Sequence, residues 1–322
     1  MKRILLTNKY AEIPDRILRH VLPIGFDLAM LEEVNQDNLT KSIIDAEYLL
    51  VSGRLRITRE ALDHASNLKM IQRTGVGLDA LDLDAIKEKG IPLYVNQGVN
   101  AESVAEHALL LILSCLRKLP IIDKNTKNGV WKKQIQGTQT HELKGKIVGI
   151  IGMGNIARTL VSFLKPFDVK ILYNDLARLP EQCELDNNMF FSDLDHILSE
   201  SDIVTIHCAL TSETRNLINA ESIRKMKDGA ILINTARGPI VNACDLASAL
   251  KEGKLSFAGI DVHEEEPFPA SYPLLGIENV ILTPHIGGIT YEAFYQMMHD
   301  AMRNIEYFDS GRLEEIKQYR YL

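Results

Sequence analysis

KIVGIIGMGNIA, residues 146–157, decides how this chain folds. Ile147 to Ile151 form an apolar run of strand length, and Ile156 to Leu164 continue in a helical pattern, so the glycines between them fall at a strand-to-helix turn. Gly152, Gly154 and Ala157 spell G-x-G-x-x-A. The first glycine permits a tight turn, the second leaves room for a pyrophosphate against the backbone, and the small alanine lets helix pack on strand. Asn155 and Ile156 open the helix, whose first N–H groups have no partner inside it and favour an anion.

Further along, Lys170 to Asn174, Ile203 to His207, Ala230 to Asn234, Ser256 to Val262 and Val280 to Thr283 read as strands between helical stretches. With the strand at residue 146 they make six, the number in a full dinucleotide-binding sheet. The second of them runs into Asp175, roughly 20 residues past the glycines. A carboxylate there accepts hydrogen bonds from ribose hydroxyls and repels a 2′-phosphate, which predicts NAD rather than NADP. Arg178 is the counter-signal. A glycine turn followed by an acid at the second strand also suits an S-adenosylmethionine site.

Before residue 146, the runs Ile4 to Thr7, Tyr48 to Ser52, Lys69 to Arg73 and Pro92 to Asn96 alternate with helix-like stretches such as Arg59 to Asn67 and Asp82 to Lys89. That alternation marks parallel βαβ units, so the fold class is α/β with doubly wound parallel sheets. A long helical stretch from Ala101 to about Lys118 is apolar on nearly every side around Ala108 to Leu113, as expected of a helix between domains or subunits. After Pro284 a last helical region covers Tyr291 to Asp309.

Three segments at later strand ends carry candidate chemistry: INTARGPI with Arg237, GIDVHEEEP with Asp261 and Glu266, and LTPHIGG with His285. Strand C-termini form the ligand crevice of an open α/β sheet. Reducing a 2-oxo acid takes a cation for the carboxylate, a proton donor for the developing alkoxide and a hydride source. Arg237 suits the first, because its planar fork matches a carboxylate. His285 suits the second, and a carboxylate partner such as Glu266 suits its imidazolium form. Taken singly, an arginine after a strand is usually a surface ion pair, a histidine beside proline is usually structural, and EEE is usually a solvated run. Their order after a glycine fingerprint favours the joint reading.

The 322 residues allow two domains, and 46% hydrophobic with 25% charged residues is ordinary for a globular protein. A net charge of −7 argues against nucleic-acid and membrane-surface partners. MKRILLTNKY lacks the apolar core of a signal peptide, and no run reaches membrane-spanning length, which predicts a cytoplasmic protein. Cys115, Cys183, Cys208 and Cys244 lie far apart, so neither a metal site nor a disulfide framework is expected.

Over nearly its whole length the sequence resembles the D-isomer-specific 2-hydroxyacid dehydrogenases. The likeness lies in RTGVGLDALDLDA, NQGVNAESVAEHALLLIL, LKGKIVGIIGMGNIA, SDIVTIHCALTSETRNLIN, MKDGAILINTARGPIV and PLLGIENVILTPHIGG. The resemblance implies an NAD-dependent oxidoreductase acting on a small 2-hydroxy or 2-oxo acid, with Arg237, Glu266 and His285 as its catalytic set. It implies that Asp261 lies near the nicotinamide carboxamide, that His207, Ala209, Thr211, Thr214, Thr235, Ala236 and Gly287 line the cofactor cleft, and that Ser52, Gly53, Val76 and Gly77 meet the substrate. It also implies a flavodoxin-like substrate domain from residues 1–99 and 287–322, a Rossmann domain from residues 100–286 inserted in it, and a homodimer formed largely by the helix from Ala101 and the loop through Trp131.

Two departures bear on the substrate and the cleft. Ser52 stands where phosphoglycerate dehydrogenases of this family generally carry arginine, although Arg54 and Arg56 are close by, and Ala209 replaces a common proline. Two other readings share the scaffold: an NAD(H)-sensing corepressor-like binding protein, marked by a peptide groove and no turnover, and a phosphite or formate dehydrogenase, marked by a crowded or basic pocket.

Overall fold

Runs such as IVGII, IVTI and AILIN are apolar at nearly every position, which suits strands covered on both faces and hence parallel sheets. In the computed structural model, which describes residues 1–53 and 55–322, such runs build two parallel sheets in two separate units. One unit comprises Met1–Asn100 with Ile289–Leu322, the other Ala101–Gly288. Arg54 lies outside the described residues.

The first unit holds β1 (Lys2–Leu6), β2 (Phe26–Met30), β3 (Tyr48–Val51), β4 (Met70–Arg73) and β5 (Leu93–Val95). Their order, β2-β1-β3-β4-β5, is the flavodoxin-like one. Strand β2 was not expected from the sequence, because it lies at the sheet edge and buries only Phe26 of FDLAM. The Tyr291–Asp309 helix starts at Thr290, whose side chain accepts from the Ala293 N–H, and lays Phe294, Met298, Ala301 and Ile305 against Ile4, Leu6 and Tyr48. Beneath it Asn304 donates to Gln72, Gln72 to Asn96, and Asn96 to the Met297 carbonyl, a chain of amide bonds that ties the helix to β4 and to the end of β5 and leaves Asn304 Oδ1 buried without a partner.

The second unit holds β6 (Ile147–Ile151), β7 (Lys170–Asn174), β8 (Met189–Phe191), β9 (Ile203–Ile206), β10 (Ala230–Asn234), β11 (Leu255–Ile260) and β12 (Val280–Leu282). All six strands read from the sequence are present, and the short β8 adds an edge. The order β12-β11-β10-β9-β6-β7-β8 places β6 between β7 and β9, where strand order reverses. Open α/β sheets bind ligands beyond the strand C-termini at such a point.

Helices cover both faces of this sheet. Ala108, Leu111 and Ile112 of the Ala101–Leu116 helix pack with Ala157, Leu160 and Leu164 against Val148, Ile150 and Ile171. Ile223, Leu246 and Leu250 cover Val204, Leu232 and Ile260 on the other face. The α/β class and the two doubly wound parallel sheets expected from the sequence are therefore what the chain forms. Among the described residues no helix is long and apolar enough to cross a membrane.

Candidate active site

The glycine turn joins β6 to the Asn155–Leu164 helix. Gly152 has φ +91°, and a Cβ there would meet the Cys208 backbone nitrogen at 2.4 Å, so the turn presses on the segment leaving β9. Gly154 caps the helix, and nothing lies within 4 Å of the place its Cβ would take. Asn155 and Ile156 thus begin a helix beside open space.

Asp175, just past β7, accepts the Met153 N–H on Oδ2 and the Leu176 N–H on Oδ1. The acid at the second strand is thereby fixed against the glycine turn. Arg178 forms a fork on Glu184, with bonds of 2.9 and 2.7 Å. That guanidinium, helped by the Tyr173 hydroxyl, holds the Glu184 carboxyl down to about 2. The cation that opposed an NAD reading is committed elsewhere.

Beyond β9, His207 Nε2 pairs with the Thr205 hydroxyl at 2.9 Å, and burial holds the imidazole down to about 4, so it is neutral at neutral pH. Its Nδ1 and the Thr235 hydroxyl are buried polar atoms without a protein hydrogen-bond partner. The next loop is closed by Thr214, whose hydroxyl donates to the Ala209 carbonyl at 2.7 Å and accepts the Thr211 N–H at 2.7 Å. Buried polar groups normally find partners. An open glycine turn, a helix start, a fixed acid and two orphaned polar atoms above one sheet end are what a dinucleotide fits.

Arg237, Asp261 and His285 follow β10, β11 and β12, three neighbouring strands. Asn234, fully buried, binds the Ala236 N–H and the Arg237 carbonyl through its side chain, both at 3.0 Å. Arg237 Nη1 donates to the Ala236 carbonyl at 2.7 Å. At Gly238 a Cβ would lie 2.1 Å from the His263 carbonyl carbon, so only glycine lets this turn approach the segment that carries Glu266. Glu266 Oε1 accepts the His263 N–H at 2.8 Å, and its Oε2 bonds His285 Nδ1 at 2.9 Å. With Nδ1 engaged by this carboxylate, Nε2 is the ring nitrogen at which a proton exchange by His285 would take place.

Asp261 is only 1% exposed. Its backbone carbonyl accepts the His285 N–H at 2.8 Å, while its carboxylate accepts the Thr283 hydroxyl at 2.6 Å and the Ile286 and Gly287 N–H groups, both at 2.9 Å. Burial alone would raise this carboxyl, but the bonds from His107, Thr283 and the two backbone N–H groups pull it down to about 2. Because that value lies below the ordinary 3.8, the carboxylate stabilises the fold at higher pH and loses the contribution as pH falls through about 2. We expect about 2 kcal/mol from this source. Accordingly, the advantage in thermal midpoint of the native chain over Asp261→Asn shrinks as pH drops from about 4 to about 2. A constant gap would remove the effect.

Ser52, Gly53, Val76 and Gly77 belong to the other unit. The Ser52 N–H donates to Thr7 Oγ1 at 3.0 Å, and its hydroxyl pairs with that of Tyr10 at 2.6 Å. Arg73 donates to the carbonyls of Gly77 at 2.9 Å, Gly53 at 3.0 Å and Val51 at 3.2 Å, tying together the two loops implicated by resemblance. Val76, beside Gly77, is 52% exposed. Sequence reasoning missed Arg73, Asn234, His263 and His107, which hold loops rather than complete a motif. One signal existed for His107: it directly precedes the apolar run Ala108 to Leu113 of a helix that covers the sheet.

A parallel sheet of this order with G-x-G-x-x-A at its reversal defines a dinucleotide-binding domain of the Rossmann type. Residues 109–287 match the NAD binding domain of the D-isomer specific 2-hydroxyacid dehydrogenases. Glyoxylate reductase of Thermofilum pendens is 42% identical over 276 residues, covering 84% of this chain and 80% of that protein. Hydroxypyruvate reductase of Thermotoga maritima is 40% identical over 265 residues, covering 81% and 84%. The D-lactate dehydrogenase of Aquifex aeolicus, solved with NAD and lactic acid, superposes with a TM-score of 0.87 at 28% identity, covering 99% of this chain and 98% of that one. The chain belongs to the D-isomer specific 2-hydroxyacid dehydrogenases. As such it is an NAD-dependent oxidoreductase that transfers a hydride between NAD(H) and C2 of a small 2-hydroxy or 2-oxo acid.

Proposed function

We propose that the chain reduces a small, unphosphorylated 2-oxo acid of the glyoxylate or hydroxypyruvate type, with Arg237, Glu266 and His285 as its catalytic residues. The observation that carries this reading is the 2.9 Å bond between Glu266 Oε2 and His285 Nδ1 at the end of a dinucleotide-binding sheet. The names of the two reductase relatives support the substrate class and the direction. So does Ser52, a neutral side chain held by Tyr10 where a phosphorylated substrate calls for a cation.

Bound at the glycine turn, NADH supplies the hydride. Gly152, Gly154, Asn155 and Ile156 hold its pyrophosphate, Asp175 its ribose, and His207, Thr235, Ala236 and Gly287 belong to the same cleft. Arg237 holds the substrate carboxylate in its fork and polarises the adjacent carbonyl. His285 gives the proton on Nε2 to the oxygen that becomes the hydroxyl, and Glu266 holds the ring through Nδ1 and stabilises the charged form before transfer. In the reverse direction the neutral ring takes that proton back. In this reading Ser52, Gly53, Val76 and Gly77 are the substrate contacts implied by the family.

Asp175 sets the preference for NAD. Asp175→Ser is expected to raise the NADPH to NADH ratio of kcat/KM by about 10-fold or more, through loss of both ribose hydrogen bonds and charge repulsion. Steady-state kinetics with both coenzymes checks it, and an unchanged ratio would free Asp175 of this role.

We further infer a homodimer through the stretch of chain that bears Leu110, Leu119, Trp131 and Ile135, large apolar side chains that are each more than half exposed. Light scattering should report twice the chain mass, and Trp131→Glu should shift it toward one. Four unpaired thiols suit the reducing cytoplasm expected from the sequence. The reading as a whole is tested by following NADH absorbance with glyoxylate, hydroxypyruvate, pyruvate, phosphohydroxypyruvate and bulkier 2-oxo acids, and NAD with formate. Fastest turnover is expected with glyoxylate or hydroxypyruvate. A preference for the phosphorylated acid or for formate would contradict it.

A further inference from the structure

We propose that His107 is a positioning residue for His285, acting through Asp261 and Thr283; the inference rests on His285 being the proton-exchanging group. His107 stands on the Ala101–Leu116 helix, where its buried neighbours Val104, Ala105, Ala108 and Leu111 are apolar. Its side chain is only 12% exposed, and its Nε2 lies 3.1 Å from Thr283 Oγ1 and 3.4 Å from Asp261 Oδ1. The Thr283 hydroxyl spends its proton on Asp261 Oδ1, so toward His107 its oxygen accepts, and Nε2 carries the hydrogen. The tautomer follows from the network.

Asp261 in turn holds the turn on both sides of His285, through the Thr283 hydroxyl before it and the Ile286 and Gly287 N–H groups after it. This bracket has work to do, because His285 sits at φ +57°. A side chain is kept in that region only where its surroundings over-determine the backbone. Among the bonds described, His107 brings the bracket a contribution from a distant helix, and through it the turn is referenced to the sheet's helical layer as well as to β11 and β12. Releasing it leaves the charge of Asp261 and the pair Glu266–His285 in place but lets the turn shift. Misplacing a reacting group by about 1 Å lowers turnover about 100-fold.

The test compares His107→Phe, His107→Gln and His285→Ala in the full chain with NADH and hydroxypyruvate. His107→Phe should lower kcat about 10- to 100-fold, with KM and the NADH dissociation constant within about twofold of native. His107→Gln, whose Nε2 can replace the imidazole donor, should recover kcat to within about threefold. Should His107→Phe fail to fold, Thr283→Val carries the same expectation, because it removes the hydroxyl that links His107 to Asp261. Native kcat in His107→Phe or Thr283→Val would overturn the proposal, as would equal losses in the Phe and Gln variants accompanied by weakened NADH binding. An inactive His285→Ala beside a normal His107→Phe overturns this inference alone, whereas an active His285→Ala overturns the function on which it rests.

Discussion

His285→Ala is expected to lower kcat by about 10³-fold or more and to leave the dissociation constant for NADH within about twofold of native. General acid–base groups contribute roughly 10²- to 10⁴-fold, and the upper part of that range applies because Glu266 ties the imidazole through Nδ1. The backbone of the turn, not the ring, bonds to Asp261, so alanine leaves the cofactor end of the sheet intact. Stopped-flow reduction together with NADH fluorescence titration separates the two quantities. Turnover within about tenfold of native would remove His285 from proton transfer.

Arg237→Ala is expected to lower kcat/KM for the 2-oxo acid by about 10³-fold or more, and Arg237→Lys to recover little of it. In the proposed mechanism the guanidinium has two tasks, orienting the carboxylate bidentately and stabilising charge on the carbonyl oxygen, and removing one preorganised donor of this kind costs roughly 10²- to 10³-fold. Lysine keeps the charge but loses the fork. Because Asn234 holds the Arg237 backbone through its own side chain, neither substitution should move the turn. Full recovery by lysine would reduce the role of Arg237 to that of a positive charge.

Much of this was legible in the sequence because the chemistry sits in contiguous segments. G-x-G-x-x-A could be read with its strand and helix, and the Tyr291–Asp309 helix was delimited by its own pattern between Pro284 and the charged tail. The edge strands β2 and β8 were not legible, since an edge strand needs few buried residues and FDLAM and MFF show little alternation. The supporting shell was hidden for a different reason. Arg73 binds three carbonyls, and His107 meets residues 154 and 176 positions away, and backbone acceptors or distant partners leave no spacing to detect. Asp261 lay within a recognised segment, yet the number of bonds its carboxylate makes to the 283–287 turn appears only in three dimensions.

Reduction of glyoxylate with NADH carrying deuterium at the transferring C4 position decides whether the sheet end and the Glu266–His285 pair do what their arrangement implies. Glycolate with one deuterium at C2, formed by the native chain and not by His285→Ala, is expected. Glycolate labelled only from deuterated water, or no labelled product with any 2-oxo acid offered, would contradict direct hydride transfer.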